Sequence, residues 1–269
     1  MEEIYQKYQK LKDILAAAGS VAVAFSGGVD STFLMDIASE VLRQNTAAIT
    51  VSSTVFPKRE KTEAEDFCAE RGIRHIITEF DELSIPGFRE NPPDRCYICK
   101  KELFRKIQAL AAENHLAAVA EGSNMDDMQD YRPGLRAIGE LGILSPLRRA
   151  GLTKAEIRIL SKERNLPTFN KPSYACLATR FVYGETIDEK HLAMVEEAEQ
   201  FLYDLGFRQM RVRIHGELAR IEVLPEMISR IASPEISSKI SERLTELGFR
   251  YVSLDLKGYR TGSMNEVLG

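Results

Sequence analysis

The sequence predicts an α/β fold in which a doubly wound, mostly parallel sheet is followed by a smaller C-terminal α+β domain. Short apolar runs alternate with amphipathic helical patterns through residues 1–170, which is typical of a parallel sheet covered by helices. A Ser-Gly-Gly turn at Ser26–Gly28 joins the first buried run to a helical pattern. Periodicity fades between Pro167 and Asp188, which predicts a boundary and a second domain over residues 171–269.

Hydrophobic spacing predicts the individual elements. The expected strands of the first domain are the apolar run from Val21 up to the Ser-Gly-Gly turn, then Thr46–Ser53, His75–Phe80, Leu116–Glu121 and a short Ile143–Leu144. The expected helices are Ile4–Leu15, Val29–Leu42, Lys58–Arg71, Cys96–His115 and one from Thr153, whose Thr-Lys-Ala-Glu start is a capping box worth about 1 kcal/mol. The second domain is expected to contain helix Asp188–Leu205, strands Gln209–Ile214 and Leu218–Val223, helix Pro234–Leu247 and strand Tyr251–Leu256.

Composition limits the possible classes of protein. The chain has 269 residues, of which 44% are hydrophobic and 28% are charged, as expected of a globular protein with a buried core. A formal net charge of −4 argues against extended contact with nucleic acid. No apolar run is long enough to span a bilayer and the acidic N-terminus is unlike a signal peptide, so we expect a cytoplasmic protein without a membrane partner.

The Ser26–Ser31 string Ser-Gly-Gly-Val-Asp-Ser is the clearest chemical motif. Gly27 and Gly28 allow the backbone to approach a phosphate closely, at a helix N-terminus that favours anions. An ordinary tight turn is the alternative, but the full string directly after a buried strand favours ATP binding, with Ser26 and Ser31 as further donors. It lacks the Gly-Lys-Ser/Thr ending of a Walker A loop. Asp30 could cap the helix or bind Mg²⁺, and we favour Mg²⁺.

This loop resembles that of the ATP pyrophosphatase, or PP-loop, superfamily. The resemblance implies cleavage between the α and β phosphates of ATP, with adenylation of a substrate oxygen. It also makes Asp127, in the Glu121–Asp127 segment, a candidate contact for ATP or Mg²⁺, against the alternative of a polar loop that caps a helix. Arg132, in the Asp130–Gly134 segment, is a candidate clamp for a phosphate or carboxylate.

Four cysteines are too few for a disulfide scaffold. Cys96 and Cys99 form a Cys-x-x-Cys pair, which by itself could be a redox pair, half of a zinc site or two chance helical positions. Together with Cys176 they supply three thiolates, a set that suits a [4Fe–4S] cluster with one open iron. Cys68 is expected to be a small core residue.

Arg211 and Arg213 alternate with Val212 on a predicted strand, so their side chains should leave the same face. The alternative is that this face is solvated. Glu199 lies in a predicted helix with a clear apolar face, and a solvent-facing carboxylate is its alternative.

Several segments together resemble the LarE family of ATP-dependent sulfur transferases across nearly the whole chain. They are Ser26–Ser31, Asp130–Gly134, the Pro172–Arg180 segment with Tyr183-Gly184, Arg211-Val-Arg213 and Gly258–Met264. The resemblance implies that a carboxylate of a pyridinium biscarboxylate mononucleotide is adenylated and becomes a thiocarboxylate, for the nickel-pincer cofactor of lactate racemase. It also implies a ring-like homo-oligomer, with a hexamer as the expected form.

The same resemblance assigns expected roles to individual residues. Cys176 would carry sulfur, Arg211 and Arg213 would grip the substrate phosphate, and Arg180, Glu199 and Glu222 would line the site, with the two glutamates as candidate metal contacts. In sacrificial members of the family one cysteine gives up its own sulfur. Cys96 and Cys99 are additional cysteines, as in family members that resemble cluster-dependent thiolases. We therefore expect the protein to use ATP, Mg²⁺ and a [4Fe–4S] cluster that carries sulfide from an external donor.

Four alternatives stay open at this point. They are sacrificial transfer from Cys176 alone, a tRNA thiolase, an amide-forming synthetase that uses ammonia, and a non-catalytic ATP sensor. The acidic balance and the lack of a recognisable RNA-binding segment argue against tRNA, and an amide synthetase has no use for three placed cysteines.

Overall fold

The computed structural model describes residues 2–129, 133–172 and 174–268. Its helices are α1 (Glu2–Ala18), α2 (Val29–Leu42), α3 (Lys58–Glu70), α4 (Arg95–Glu113), α5 (Gly134–Glu140), α6 (Pro146–Ala150), α7 (Lys154–Glu163), α8 (Glu189–Asp204), α9 (Ile228–Ile231) and α10 (Pro234–Glu246). Its strands are β1 (Val21–Ala24), β2 (Thr46–Ser52), β3 (His75–Glu79), β4 (Ala118–Ala120), β5 (Met210–His215), β6 (Leu218–Val223) and β7 (Tyr251–Leu254).

The first sheet is parallel throughout and has the strand order β3-β2-β1-β4. The chain therefore leaves β1 toward β2 on one side and later adds β4 on the other. The carboxyl ends of β1 and β4 flank this reversal, where open α/β sheets bind ligands. The expected strand at Ile143–Leu144 is present as one parallel bridge between Leu144 and Ala120. The predicted α/β class is confirmed.

Helices cover both faces of this sheet, as the doubly wound prediction requires. Val21 and Val23 of β1 belong to one hydrophobic cluster with residues of α1, α2, α3 and α7. Ala22, which points to the opposite face, belongs to a second cluster with Phe104 and Ile107 of α4. Because β1 is buried on both faces, its sequence is a continuous apolar run rather than an alternating one.

The chain divides into two compact units. One comprises the residues up to Asp81 together with Cys96–Tyr174, and the other comprises Glu82–Arg95 and the residues from Ala175 onward. The second unit contains the mixed sheet β5-β6-β7, in which β5 and β6 are antiparallel and β6 and β7 are parallel. The domain limits expected from the sequence, 1–170 and 171–269, stay a prediction. No helix in the described parts of the chain has the length and apolarity needed to cross a membrane.

Candidate functional site

The loop between β1 and α2 is closed by two serine hydroxyls. Ser26 Oγ and Ser31 Oγ are 3.1 Å apart, and Ser31 Oγ donates to the carbonyl of Gly28 at 3.1 Å. Gly28 is the N-cap of α2 and has no side chain to accept from the first-turn N–H groups. The first N–H groups of a helix have no partner inside the helix, so this end of α2 can donate to an anion.

Gly27 needs to be glycine for two reasons. Its φ of 69° lies in the left-handed region, where other residues are strained. A Cβ at this position would also lie 3.2 Å from the backbone oxygen of Glu60 and 3.4 Å from the Cβ of Ala64, both in α3. The close packing of the loop on α3 therefore depends on the missing side chain.

The segment after β4 lies directly against the first turn of α2. A Cβ on Gly122 would come within 3.1 Å of the Ser31 nitrogen and 3.3 Å of the Asp30 Cβ. The side-chain amide of Asn124 donates to Asp30 Oδ1 at 3.3 Å, and the Asn124 backbone N–H donates to Asp127 Oδ2 at 2.9 Å. Asn124 thus connects the two carboxylates predicted to contact ATP or Mg²⁺.

The buried carboxylate of Glu121 holds the segment after β4 by hydrogen bonds. Glu121 Oε2 accepts from the backbone N–H of Ser123 at 3.0 Å and from its hydroxyl at 2.6 Å, while Oε1 accepts from the Ser145 hydroxyl at 2.5 Å. All three residues are buried. Because both carboxylate oxygens accept hydrogen bonds, Glu121 links Ser123 to Ser145 and fixes the backbone that precedes Asn124.

Lys154 provides a positive charge that the loop itself lacks. Its Nζ lies 2.5 Å from Asp30 Oδ2, and its backbone N–H donates to Asp126 Oδ2 at 2.9 Å. Burial raises the pKa of the Asp30 carboxyl; the positive charge of Lys154 opposes this rise and the negative charge of Asp127 adds to it. Lys154 was not predicted as a site residue, although the Thr153 capping box, which the structure confirms, makes it the first residue of α7.

Lys171 also contacts the Ser26–Ser31 loop. Its Nζ donates to the Gly27 carbonyl at 2.9 Å and lies 2.8 Å from Glu60 and 2.5 Å from Glu63. This lysine begins the Lys171–Arg180 segment that carries Cys176, but its sequence alone gives no indication of a contact with Gly27. Only the fold brings positions 144 residues apart together.

The predicted cluster cysteines lie in both units. Cys96 and Cys99 are three positions apart at the start of α4, a spacing that puts two thiols on one face of the helix and suits two ligands of one cluster. Cys176 immediately precedes a 3₁₀ turn over Leu177–Arg180 in the other unit. Within the described residues, no group of three or more His, Cys, Asp or Glu side chains forms a metal site. The cluster therefore stays a prediction. Cys68 is buried, as expected, and burial raises its pKa to about 12.

The second unit buries Arg180 completely against Glu199. Its Nε and Nη2 donate to the two carboxylate oxygens at 2.8 and 2.9 Å, and Nη1 contacts the carbonyls of Ala175 and Cys176 at 3.0 and 3.2 Å. Burial alone would lower the pKa of Arg180 and raise that of Glu199. Their attraction outweighs burial, so the pKa of Arg180 is raised and that of Glu199 is lowered. Arg180 thereby holds the backbone at Cys176.

Arg211 and Arg213 are buried on β5, so the alternative of a solvated face is wrong; their exposed fractions are 3% and 5%. Arg213 donates to Glu222 Oε2 from Nε and Nη2 at 3.1 and 2.9 Å, and Ser263 Oγ donates to Glu222 Oε1 at 3.0 Å. Arg211 lies 5.0 Å from the centre of the Tyr259 ring. Burial, followed by repulsion from Arg180, lowers the pKa of Arg211 to about 10.

Glu199 also forms a direct hydrogen bond with the backbone of β5. It accepts from the Val212 backbone N–H at 2.9 Å and is buried, so the alternative of a solvent-facing carboxylate is wrong. The predicted residues Arg180, Glu199, Arg211, Arg213 and Glu222 thus gather in one buried charged cluster. Arg132 lies outside the described residues.

The first unit thus has a buried strand, a Ser-Gly-Gly turn and a helix start at the point where the strand order reverses. These features define an ATP-binding PP-loop domain. The PP-loop domain family matches residues 1–91. The chain is 40% identical to the pyridinium-3,5-bisthiocarboxylic acid mononucleotide synthase of Lactiplantibacillus plantarum, over 92% of this chain and 90% of that protein. It is 39% identical to the Synechocystis protein slr1717, over 97% and 98% of the two chains. It is 30% identical to the Methanocaldococcus jannaschii protein MJ0830, over 90% and 91%. The chain belongs to the LarE family of PP-loop, ATP-dependent sulfur transferases.

Proposed function

We propose that this protein converts a carboxylate of a pyridinium biscarboxylate mononucleotide into a thiocarboxylate. The observation that carries the proposal is the 40% identity, over nearly the full length of both chains, with a synthase whose product is a pyridinium bisthiocarboxylic acid mononucleotide. The same proposal includes three further points. The product serves the nickel-pincer cofactor of lactate racemase, the protein is cytoplasmic, and it forms a homo-oligomeric ring.

The first chemical step is adenylation. A carboxylate oxygen of the substrate attacks the α-phosphorus of ATP, the bond from that phosphorus to the α–β bridging oxygen breaks, and pyrophosphate leaves. Ser26, Ser31 and the N–H groups at the start of α2 bind phosphate oxygens in this proposal, supported by the geometry of the loop. Asp30 and Asp127 would hold Mg²⁺, which neutralises phosphate charge, since carboxylate oxygens are ligands that suit it.

The second step replaces oxygen by sulfur. A sulfide equivalent attacks the acyl carbon of the adenylate, the bond from that carbon to the AMP oxygen breaks, and AMP leaves with the electron pair. Arg211 and Arg213 are proposed to bind the substrate phosphate, together with Arg132, while Arg180 lines the site. Arginine suits this task because its guanidinium donates to phosphate in a bidentate manner. Glu199 and Glu222 would orient these arginines, which is supported by the ion pairs of Arg180 and Arg213.

The proposed sulfur carrier is a [4Fe–4S] cluster held by Cys96, Cys99 and Cys176. A cluster with three thiolate ligands would supply one open iron for exogenous sulfide. The protein's contribution is to hold the cysteines, through the first turn of α4 and through the Arg180 contacts with the Cys176 carbonyl. Sacrificial transfer of the Cys176 sulfur is the competing proposal, and it needs neither Cys96 nor Cys99.

Iron and mass analysis separate these two mechanisms. We expect anaerobically purified protein to contain iron and acid-labile sulfide near four of each per chain, and Cys96→Ala to lose both. We also expect Cys176 to stay intact through many turnovers. One turnover per chain, with Cys176 losing the elements of H₂S to become dehydroalanine, would overturn the cluster proposal and leave ATP-dependent sulfur transfer in place.

A further inference from the structure

The ammonium group of Lys171 is largely buried against the Ser26–Ser31 loop. Among the described residues, its Nζ contacts the Gly27 carbonyl at 2.9 Å, Glu60 at 2.8 Å and Glu63 at 2.5 Å. Only 10% of the side chain is exposed. An ammonium group has three donors, so each of them has an acceptor, which is what makes the burial of this charge tolerable.

The contact with Gly27 fixes the orientation of one peptide in the loop. The described chain contains no cis peptide bonds, and in a trans peptide the N–H points opposite to the carbonyl. Because Lys171 holds the Gly27 carbonyl, the Gly28 N–H points away from Lys171. Neither glycine has a Cβ, so without this restraint the peptide could rotate at little steric cost. A rotated peptide would present a carbonyl oxygen where an anion needs a donor.

The charges around Lys171 indicate that it acts through the loop rather than on ATP. Two carboxylates, those of Glu60 and Glu63, already face its single positive charge. Lys154 differs, because it faces one carboxylate of the loop and 25% of its side chain is exposed. We propose that Lys171 is a positioning residue that orients the Gly27–Gly28 peptide for binding the phosphates of ATP. This inference rests on the proposed use of ATP by the loop.

The test compares Lys171→Met, Lys171→Arg and wild type as full-length proteins. Isothermal titration with ATP and with adenosine separates phosphate binding from base binding. We expect Lys171→Met to weaken ATP binding about 10-fold or more while leaving adenosine affinity unchanged, since one misdirected donor to a charged group has an effect of that size. Amide hydrogen exchange of a peptide spanning residues 25–33 should become faster. Lys171→Arg, which can still donate to the Gly27 carbonyl, should restore most of the ATP affinity.

Two further variants control for charge and folding. Lys12→Met removes a lysine that pairs with one exposed carboxylate, Glu40, and should leave both affinities unchanged. If Lys171→Met unfolds, the triple variant Lys171→Met, Glu60→Gln, Glu63→Gln also removes the charges of the two carboxylates that contact Lys171; it should fold and still bind ATP weakly.

The results distinguish the positioning role from the proposed function. Normal ATP affinity and slow exchange of residues 25–33 in a folded Lys171→Met or triple variant would overturn the positioning role. Equal loss of ATP and adenosine affinity would also overturn it, because a damaged fold is then the cause. A wild-type protein that binds no ATP would refute the proposed function itself.

Discussion

Replacing Glu199 by Gln should destabilise the second unit strongly. Glu199 accepts two hydrogen bonds from Arg180 and one from the Val212 N–H, all between 2.8 and 2.9 Å. The glutamine amide would keep the shape of the side chain but leave the fully buried Arg180 guanidinium without a counter-charge. Breaking one partner of a buried ion pair costs about 3–5 kcal/mol. We therefore expect a decrease of that size in the free energy of unfolding, measured by urea denaturation.

The pH dependence tests the cause of this loss. The pKa of Glu199 is lowered in the folded protein, so its stabilising contribution is present above the unfolded value of about 4.3 and is lost as pH falls through the lower folded value. The difference between wild type and Glu199→Gln should therefore be largest near neutral pH and shrink below pH ~4.

Glu197→Gln is the matched control on the same helix. Glu197 forms an exposed pair with Arg243 at 3.1 Å, and such pairs contribute less than about 1 kcal/mol. An equal and pH-independent effect of Glu197→Gln and Glu199→Gln would refute the assignment of the buried pair as a main source of stability in this unit.

Two further substitutions test the nucleotide site, and a third tests the cap of α7. Gly27→Ala should weaken ATP binding about 10-fold or more in isothermal titration, because the left-handed backbone conformation costs an L-residue roughly 1–2 kcal/mol and the new Cβ would crowd Glu60. Unchanged affinity would show that the loop tolerates a side chain. Asp30→Asn should raise the Mg²⁺ concentration for half-maximal pyrophosphate release roughly 10-fold, since a lost carboxylate contact weakens a metal site by at least that much. An unaltered Mg²⁺ titration would exclude Asp30 as a ligand. Thr153→Ala should lower the free energy of unfolding by about 1 kcal/mol through loss of the α7 cap, and no change in urea denaturation would contradict the contribution assigned to the capping box.

Local patterns were sufficient to predict most of the fold. The Val21–Ala24 strand and the helix from Val29 follow from short-range periodicity and a glycine turn, and both are confirmed. The predicted strand at Leu116–Glu121 is shorter, covering Ala118–Ala120, because the Leu116 N–H instead donates to Ala111 at the end of α4. Helices α5 and α6 were not predicted, since five to seven residues are too few for a periodic signal.

The site was less accessible from sequence because its contacts join distant segments. The Ser26–Ser31 motif was evident, but Lys154 and Lys171 reach it from 124 and 144 positions along the chain. Periodicity carries no information about such contacts. The burial of Glu199 was similarly hidden, because the partner that makes a buried carboxylate tolerable, Arg180, lies outside the helix that carries it.

The products formed from ATP test the central claim most directly. The protein would be incubated with Mg²⁺, ATP, the pyridinium biscarboxylate mononucleotide and sulfide, and the nucleotides, phosphates and organic product would be separated and quantified. The proposed mechanism predicts one AMP and one pyrophosphate for each thiocarboxylate group formed, and neither without the mononucleotide. Release of ADP and phosphate, or thiocarboxylate formation without ATP, would contradict it.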